Sequence, residues 1–315
     1  VDDALALLLA VQSPEVDLVG CTTVAGNVTV DQTTRNTLAV LELAGRDDIP
    51  VAKGAARPLV RRLTTATYFH GPLGMGRVEL PEPKARPPEL AAPKFLIHMA
   101  ERYDGELTVV ATGPLTNLAM ALLLDPGFGR KIKKLIIMGG AVRTPGNITP
   151  VAEANFYNDP EAAAAVMHCG ADITLVGLDV THQTVVRWRE IEHLNEQRDA
   201  LTPITRLSLD LLSHYSMVYG PEVGAHLHDP LAVGVAIRPE VVQTERMQVE
   251  IETEGQFTRG QSVGFSSKAI DQLENKGDYD DAVGIRFEHP SNASVCLQVD
   301  APGFVQLFRE RLGLI

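Results

Sequence analysis

Apolar runs rich in β-branched residues alternate, over most of the chain, with stretches whose hydrophobic positions recur at helical spacing. That alternation predicts a parallel sheet covered by helices. Val16–Val24, Ile49–Ala52, Leu107–Ala111, Leu135–Met138 and Ile173–Leu178 read as strands. The last three are apolar almost without interruption, as expected of strands buried on both faces. Gln32–Ala44, Ala92–Tyr103, Thr116–Leu124 and Pro160–His168 read as helices, and Ala4–Val11 and Leu231–Ile237 as shorter apolar ones. The predicted class is α/β, with an open, mostly parallel central sheet flanked by helices. No internal repeat, low-complexity tract or Gly/Ser linker divides the chain, so residues 1–315 are read as a single domain. Arg61–Pro88, with its scattered Gly and Pro, reads as a long loop of the kind that carries function. Ser266–Pro290, which holds Asp278, Asp280 and Asp281, reads as a solvated surface insertion.

Composition narrows the partners. With 28 Lys and Arg against 40 Asp and Glu, the net charge of -12 repels phosphate backbones and anionic headgroups, so neither nucleic acid nor a membrane surface is expected. Cys21, Cys169 and Cys296 are odd in number and lack CxxC spacing, which argues against a disulfide framework or a zinc knuckle and for a reducing, cytoplasmic setting. No apolar run approaches the roughly 18 residues that span a bilayer. The chain opens on Val1-Asp2-Asp3 ahead of a helix pattern, and it reads as a fragment whose start lies upstream.

In open α/β sheets ligands bind beyond the carboxyl ends of the strands. Those ends are polar and Gly-rich here: Ala25-Gly26-Asn27, Thr112-Gly113-Pro114-Leu115-Thr116-Asn117, Gly139-Gly140 leading to Asn147, Glu153 and Asn155, and Asp179. Asp2 and Asp3 either cap the first helix or ligate a hard cation, for which an oxygen-rich set is suited. Asp229, between His228 and Pro230, has the same two readings, and His228 beside a carboxylate also has the makings of a general acid, with His226 close by in sequence. Asp159-Pro160 reads as a helix cap. Asn147, Glu153 and Asn155 combine amides with one carboxylate, which suits the hydroxyls of a sugar better than a phosphate. Gly71, Gly74 and Gly76 have the order G-x-x-G-x-G, not that of a dinucleotide site, so an NAD enzyme is disfavoured.

Taken together, VDDALALLLA at the start, TTVAGN at Thr22–Asn27, His70-Gly71, ATGPLTN at Ala111–Asn117, MGG at Met138–Gly140, GNITPVAEAN at Gly146–Asn155 and HDPLAV at His228–Val233 resemble the calcium-dependent inosine/uridine-preferring nucleoside hydrolase family over nearly the whole chain. The resemblance implies hydrolysis of the N-glycosidic bond of ribonucleosides by a calcium-bound water, a role in purine and pyrimidine salvage, a small-molecule nucleoside as partner, and assembly into a homo-oligomer. It implies Asp3, Asp229 and the Thr112 carbonyl as Ca²⁺ ligands. Asp2, Asn147, Glu153 and Asn155 would hold sugar hydroxyls, Met138 would pack on the sugar, and Asn27 would orient the water. His228 would protonate the leaving base and His70 would approach it from its loop. Tyr215 and Tyr219, at i and i+4, would form an aromatic wall beside the base. The family opens with a strand and D-x-D-P-G-x-D-D, of which Val1-Asp2-Asp3 matches the end. The first strand and the base-carrying Asp are thus missing from the sequence, and the chain as it stands is expected to hydrolyse nucleosides marginally at best. The competing expectation is an inactive nucleoside or pentose binding protein.

Overall fold

The computed structural model describes residues 1–220, 222–266 and 291–315. The strands are β1 (Cys21–Thr23), β2 (Val51–Lys53), β3 (Thr108–Ala111), β4 (Lys134–Met138), β5 (Ile173–Val176), β6 (Val185–Val186), β7 (Ala225–His226), β8 (Val242–Ile251), β9 (Ser262–Ser266) and β10 (Ala293–Val299). The helices are α1 (Asp2–Val11), α2 (Val30–Leu43), α3 (Thr67–His70), α4 (Ala92–Arg102), α5 (Thr116–Leu124), α6 (Phe128–Lys131), α7 (Ala154–Asn158), α8 (Pro160–Met167), α9 (Leu178–Thr181), α10 (Pro203–Tyr219), α11 (His228–Ile237) and α12 (Ala301–Arg311).

A six-stranded sheet in the order β3-β4-β5-β10-β8-β9 forms the centre. Pairing is parallel from β3 through β5 to β10, with Val110 opposite Ile136 and Ile136 opposite Thr174, and antiparallel from β10 to β8 to β9. The expected α/β architecture is present, but the sheet is mixed, because β8 and β9 add an antiparallel edge that the sequence reading did not place. The period of two along β4 explains its unbroken apolar sequence: Leu135 and Ile137 join the core on one face while Ile136 and Met138 join the core on the other. One face is covered by α5 and α8, whose buried Leu118, Ala121, Ala163 and Val166 belong to the first of these cores. The other is covered by α1 and α11. Leu5, Leu8 and Leu9 lie at i, i+3 and i+4 of α1 and are fully buried, each contributing about 1.5–3 kcal/mol. Every residue from His228 to Val235 of α11 is buried, which is why its apolar sequence lacks a polar face. Among the described residues, no helix is long and apolar enough to cross a membrane.

α11 also packs on α12. A Cβ at Gly234 would lie 2.3 Å from Cε2 of the fully buried Phe304. Gly234→Ala is therefore expected to destabilise the protein by about 1–3 kcal/mol through overpacking, read as a lower denaturation midpoint at unchanged slope.

The strand expected over Val16–Val24 is paired only at Cys21–Thr23, parallel to β2, and this two-stranded sheet is not hydrogen-bonded to the central one. A cleft of about 630 Å³ runs between them, bordered by residues 15–24, α1 and residues 106–112. Val16–Gly20 lines that cleft and is not part of β1. Asn117 of α5 bridges to the smaller sheet, its amide nitrogen donating to the Thr23 carbonyl at 2.9 Å and its amide oxygen accepting from Ala55 N–H at 2.9 Å.

Within the loop expected over Arg61–Pro88, residues 67–70 form α3. Gly71 and Gly76 follow with φ of 79° and 62°, and a Cβ at Gly76 would strike the His214 ring at 2.5 Å. These glycines return the chain tightly, with Gly76 N–H donating to the His70 carbonyl at 2.8 Å, and so press His70 inward. The cluster of Asp278, Asp280 and Asp281 lies outside the described residues.

Candidate active site

The carboxyl ends of β1, β3, β4 and β5 converge with the first turns of α1 and α11. Asp2 and Asp3, neighbours in sequence, and Asp229, more than two hundred residues further on, place carboxylate oxygens within 4.8 Å of one another. The capping alternative fails for all three, because neither α1 nor α11 has a side-chain N-cap hydrogen bond and the aspartates lie inside the first turns. They still benefit from the positive end of each helix, which favours negative charge there. Asp159 does cap α8, accepting from Ala162 N–H at 3.2 Å, and also binds the Thr116 hydroxyl at 2.6 Å.

Asp3 opens toward the cleft, held from both banks: the Asn27 amide donates to Oδ2 at 3.2 Å and the Thr112 hydroxyl to Oδ1 at 3.3 Å. Asp2 is buried and accepts from the Tyr215 hydroxyl at 2.5 Å. Burial opposes the ionisation of Asp2, and the Tyr215 hydroxyl from which it accepts favours it. Burial and then the charges of Asp2 and Asp3 push Asp229 well above that range, and its crowded setting and Asp2 raise Asp3. Among the described residues no hydrogen-bond donor is directed at the Asp229 carboxylate. A buried anion without a donor, beside two others, lacks compensating charge, and a hard cation with oxygen ligands supplies it. The residues present therefore fit a divalent metal.

The Thr112 carbonyl is at this rim and accepts from the Asn155 amide at 3.2 Å. The same amide nitrogen reaches the Met138 carbonyl at 3.2 Å and its Sδ at 3.5 Å. Asn155 thereby ties the ends of β3 and β4 together. Glu153 is 2% exposed and caps α7, accepting from Asn155 N–H at 2.8 Å, Phe156 N–H at 3.2 Å and Gly140 N–H at 3.0 Å. Burial raises its pKa against those hydrogen bonds. Asn147 is the exposed member of the group, with its amide oxygen accepting from Ala154 N–H at 3.0 Å.

Opposite the carboxylates lies an aromatic and imidazole wall. Phe69, Tyr215 and Tyr219 have ring centroids 5.1 to 5.7 Å apart. Tyr215 is 1% exposed, so its ring sits behind the wall and acts on the rim through Asp2; Tyr219 is half-buried and places its hydroxyl 3.1 Å from His228 Nε2. His70 is buried, with Nδ1 lacking a hydrogen-bond partner, and burial lowers its pKa to about 3. His228 is buried as well and lowered to about 3 by burial, and it sits in stacking contact with His226 at 5.4 Å and at 5.6 Å from His182. These rings are neutral at pH 7. His226, adjacent in sequence to the same motif, stacks on His228 and is itself lowered to about 4, again by burial.

The sequence reading thus named residues that come together: Asp2, Asp3, Asn27, His70, Thr112, Met138, Asn155, Tyr215, Tyr219, His228 and Asp229, with Glu153 and Asn147 on the adjoining loop. It missed Thr181, whose hydroxyl lies 2.7 Å from His228 Nδ1, and the bridging part of Asn117. Asp179, noted as rim polarity, accepts from Val142 N–H at 2.9 Å and Arg143 N–H at 2.7 Å and so secures the loop after β4.

Carboxylates that fit a cation, close to imidazoles and phenols at the strand ends, have the composition of an enzyme site. Comparison with known proteins gives this class its family. The model of the family described as inosine-uridine preferring nucleoside hydrolase matches residues 1–306, and the chain belongs to that family. It is 38% identical over 314 residues to the probable uridine nucleosidase 2 of Arabidopsis thaliana, covering 99% of this chain and 94% of that protein. To the pyrimidine-specific ribonucleoside hydrolase RihA of Citrobacter koseri it is 38% identical over 316 residues, covering 99% and 95%. Among solved structures, a purine-preferring ribonucleoside hydrolase from Gardnerella vaginalis superposes with a TM-score of 0.87 at 33% identity, covering 99% of this chain and 95% of that one.

Proposed function

We propose that this chain cleaves the N-glycosidic bond of ribonucleosides, releasing base and ribose, with a Ca²⁺ ion held by Asp3, Asp229 and the Thr112 carbonyl. The observation that carries this reading is the convergence of Asp2, Asp3 and Asp229 within 4.8 Å, with His228 next to Asp229 in the first turn of α11. A hard divalent cation bound there would supply Lewis-acid activation of water and a fixed anchor for sugar hydroxyls.

The chain's own groups divide the remaining work. Asp2, held ionised and aimed by Tyr215, accepts from ribose hydroxyls; Asn147 and Asn155, together with Glu153, complete the sugar site, and Met138 packs against the ring. As the C1′–N bond breaks, its electron pair goes to the base and positive charge builds on the sugar, where the carboxylates oppose it. Asn27, already oriented by Asp3, directs the water whose oxygen bonds to C1′ and whose proton passes to a carboxylate at the acidic rim. His228 supplies a proton to the departing base, while His70 and Tyr219 flank that base in a site shielded from water.

Metal analysis after gentle purification is expected to find one Ca²⁺ per chain, and hydrolysis of a nucleoside panel is expected to stop on addition of EGTA. A stoichiometry near zero together with EGTA-insensitive hydrolysis would sink the metal assignment. Saturable binding of nucleosides without any turnover would replace the hydrolase reading with that of a nucleoside or pentose binding protein.

A further inference from the structure

We infer that Thr181 is a positioning residue: its hydroxyl donates to Nδ1 of His228 and thereby fixes the ring proton on Nε2, the nitrogen that faces the Tyr219 hydroxyl. This rests on the assignment of His228 as the proton source for the departing base and adds the group that keeps it in donor form.

The geometry is specific. Thr181 ends α9, the short helix that follows β5, and is fully buried, with Oγ1 2.7 Å from His228 Nδ1. Its backbone is anchored on both sides, N–H to the Gly177 carbonyl at 3.1 Å and its carbonyl accepting from the Thr184 hydroxyl at 3.0 Å. In α2 the Thr34 and Thr37 hydroxyls turn back onto a carbonyl one turn earlier, to Val30 at 2.7 Å and to Thr33 at 2.9 Å. The Thr181 hydroxyl makes no such bond among the described residues, and His228 Nδ1 is the acceptor it has. A buried hydroxyl whose proton finds no acceptor bears an uncompensated desolvation cost, so the arrangement in which Thr181 donates is favoured.

A neutral imidazole has one donor and one acceptor nitrogen. With Nδ1 accepting from Thr181, the proton sits on Nε2, 3.1 Å from the Tyr219 hydroxyl. Tyr219 then accepts from Nε2–H, and its own phenolic proton is left to point onward into the site. Thr181, His228 and Tyr219 form a chain of donors with a single direction, each bond polarising the next. The reverse chain would leave the Thr181 proton stranded and present a bare Nε2 lone pair, which cannot give a proton to a leaving base. Were Thr181 only a polar residue filling space beside His228, the tautomer would not depend on its hydroxyl.

Long-range proton–nitrogen correlation spectra of the ¹⁵N-histidine-labelled chain read the tautomer directly. In the parent and in Thr181→Ser, His228 is expected to show a pyridine-type Nδ1 and a pyrrole-type Nε2. In Thr181→Val, which keeps the shape and removes the hydroxyl, signal from the Nδ1–H form should appear. Inosine kcat should fall on the order of 10- to 100-fold in Thr181→Val, the usual loss when a group orienting a functional histidine is removed, with recovery in Thr181→Ser and little change for p-nitrophenyl riboside. A pyrrole-type Nδ1 in the parent, or an unchanged His228 spectrum in Thr181→Val, overturns the inference even if hydrolysis is intact. A parent chain that hydrolyses no nucleoside overturns the proposed function and leaves the tautomer result standing on its own.

Discussion

Alanine in place of His228 is expected to slow inosine hydrolysis by about 10² to 10⁴-fold, the range associated with a positioned proton donor. The contribution of His228 is greatest where the leaving group most needs a proton. A substrate with a good leaving group, p-nitrophenyl riboside, should lose far less. Steady-state kinetics on both substrates decide the matter, since equal losses would show that His228 shapes the site without protonating anything.

Asp229→Asn should have effects of opposite sign with and without calcium. In the metal-free protein Asp229 is held well above the usual carboxylate range by burial and by Asp2 and Asp3, so the folded chain binds that proton more tightly than the unfolded chain. The resulting stabilisation is fully present below the unfolded carboxyl value of about 3.9 and is lost as pH rises through the raised folded value. Asparagine removes the charge that causes the loss. In EGTA the variant should therefore melt above the parent at neutral pH, with the difference shrinking on acidification. Calcium should reverse the order at pH 7: at a hundred times its Kd the ion stabilises the parent by about 2.7 kcal/mol, and the variant should respond little. Thermal melts across pH with calcium or EGTA test both signs, and an equal calcium response in the two proteins would remove Asp229 from the metal site.

The parts of the fold that were legible in the sequence are those set by short-range pattern. β4 and β5, apolar on both faces, and α5, an apolar run bounded by Thr116 and Leu124, fall within a residue or two of their expected limits. β1 falls short of Val16–Val24 because strand formation depends on a neighbour, and β-branched sequence specifies none. The aspartates were legible as residues and ambiguous as to role, since Asp at a helix start serves a cap or a cation equally well until the turn is seen. Glu153 shows the converse, reading as a sugar ligand while its two oxygens already accept three backbone N–H groups. Thr181 left no signal because its meaning comes from an imidazole 47 positions away in the chain.

One carboxylate links the small sheet to the central one. Asp3 is gripped by Asn27 on one bank and Thr112 on the other, so it spans the gap as a suture does. Whatever shifts the loop after β1 against the loop after β3 therefore reaches that carboxylate directly.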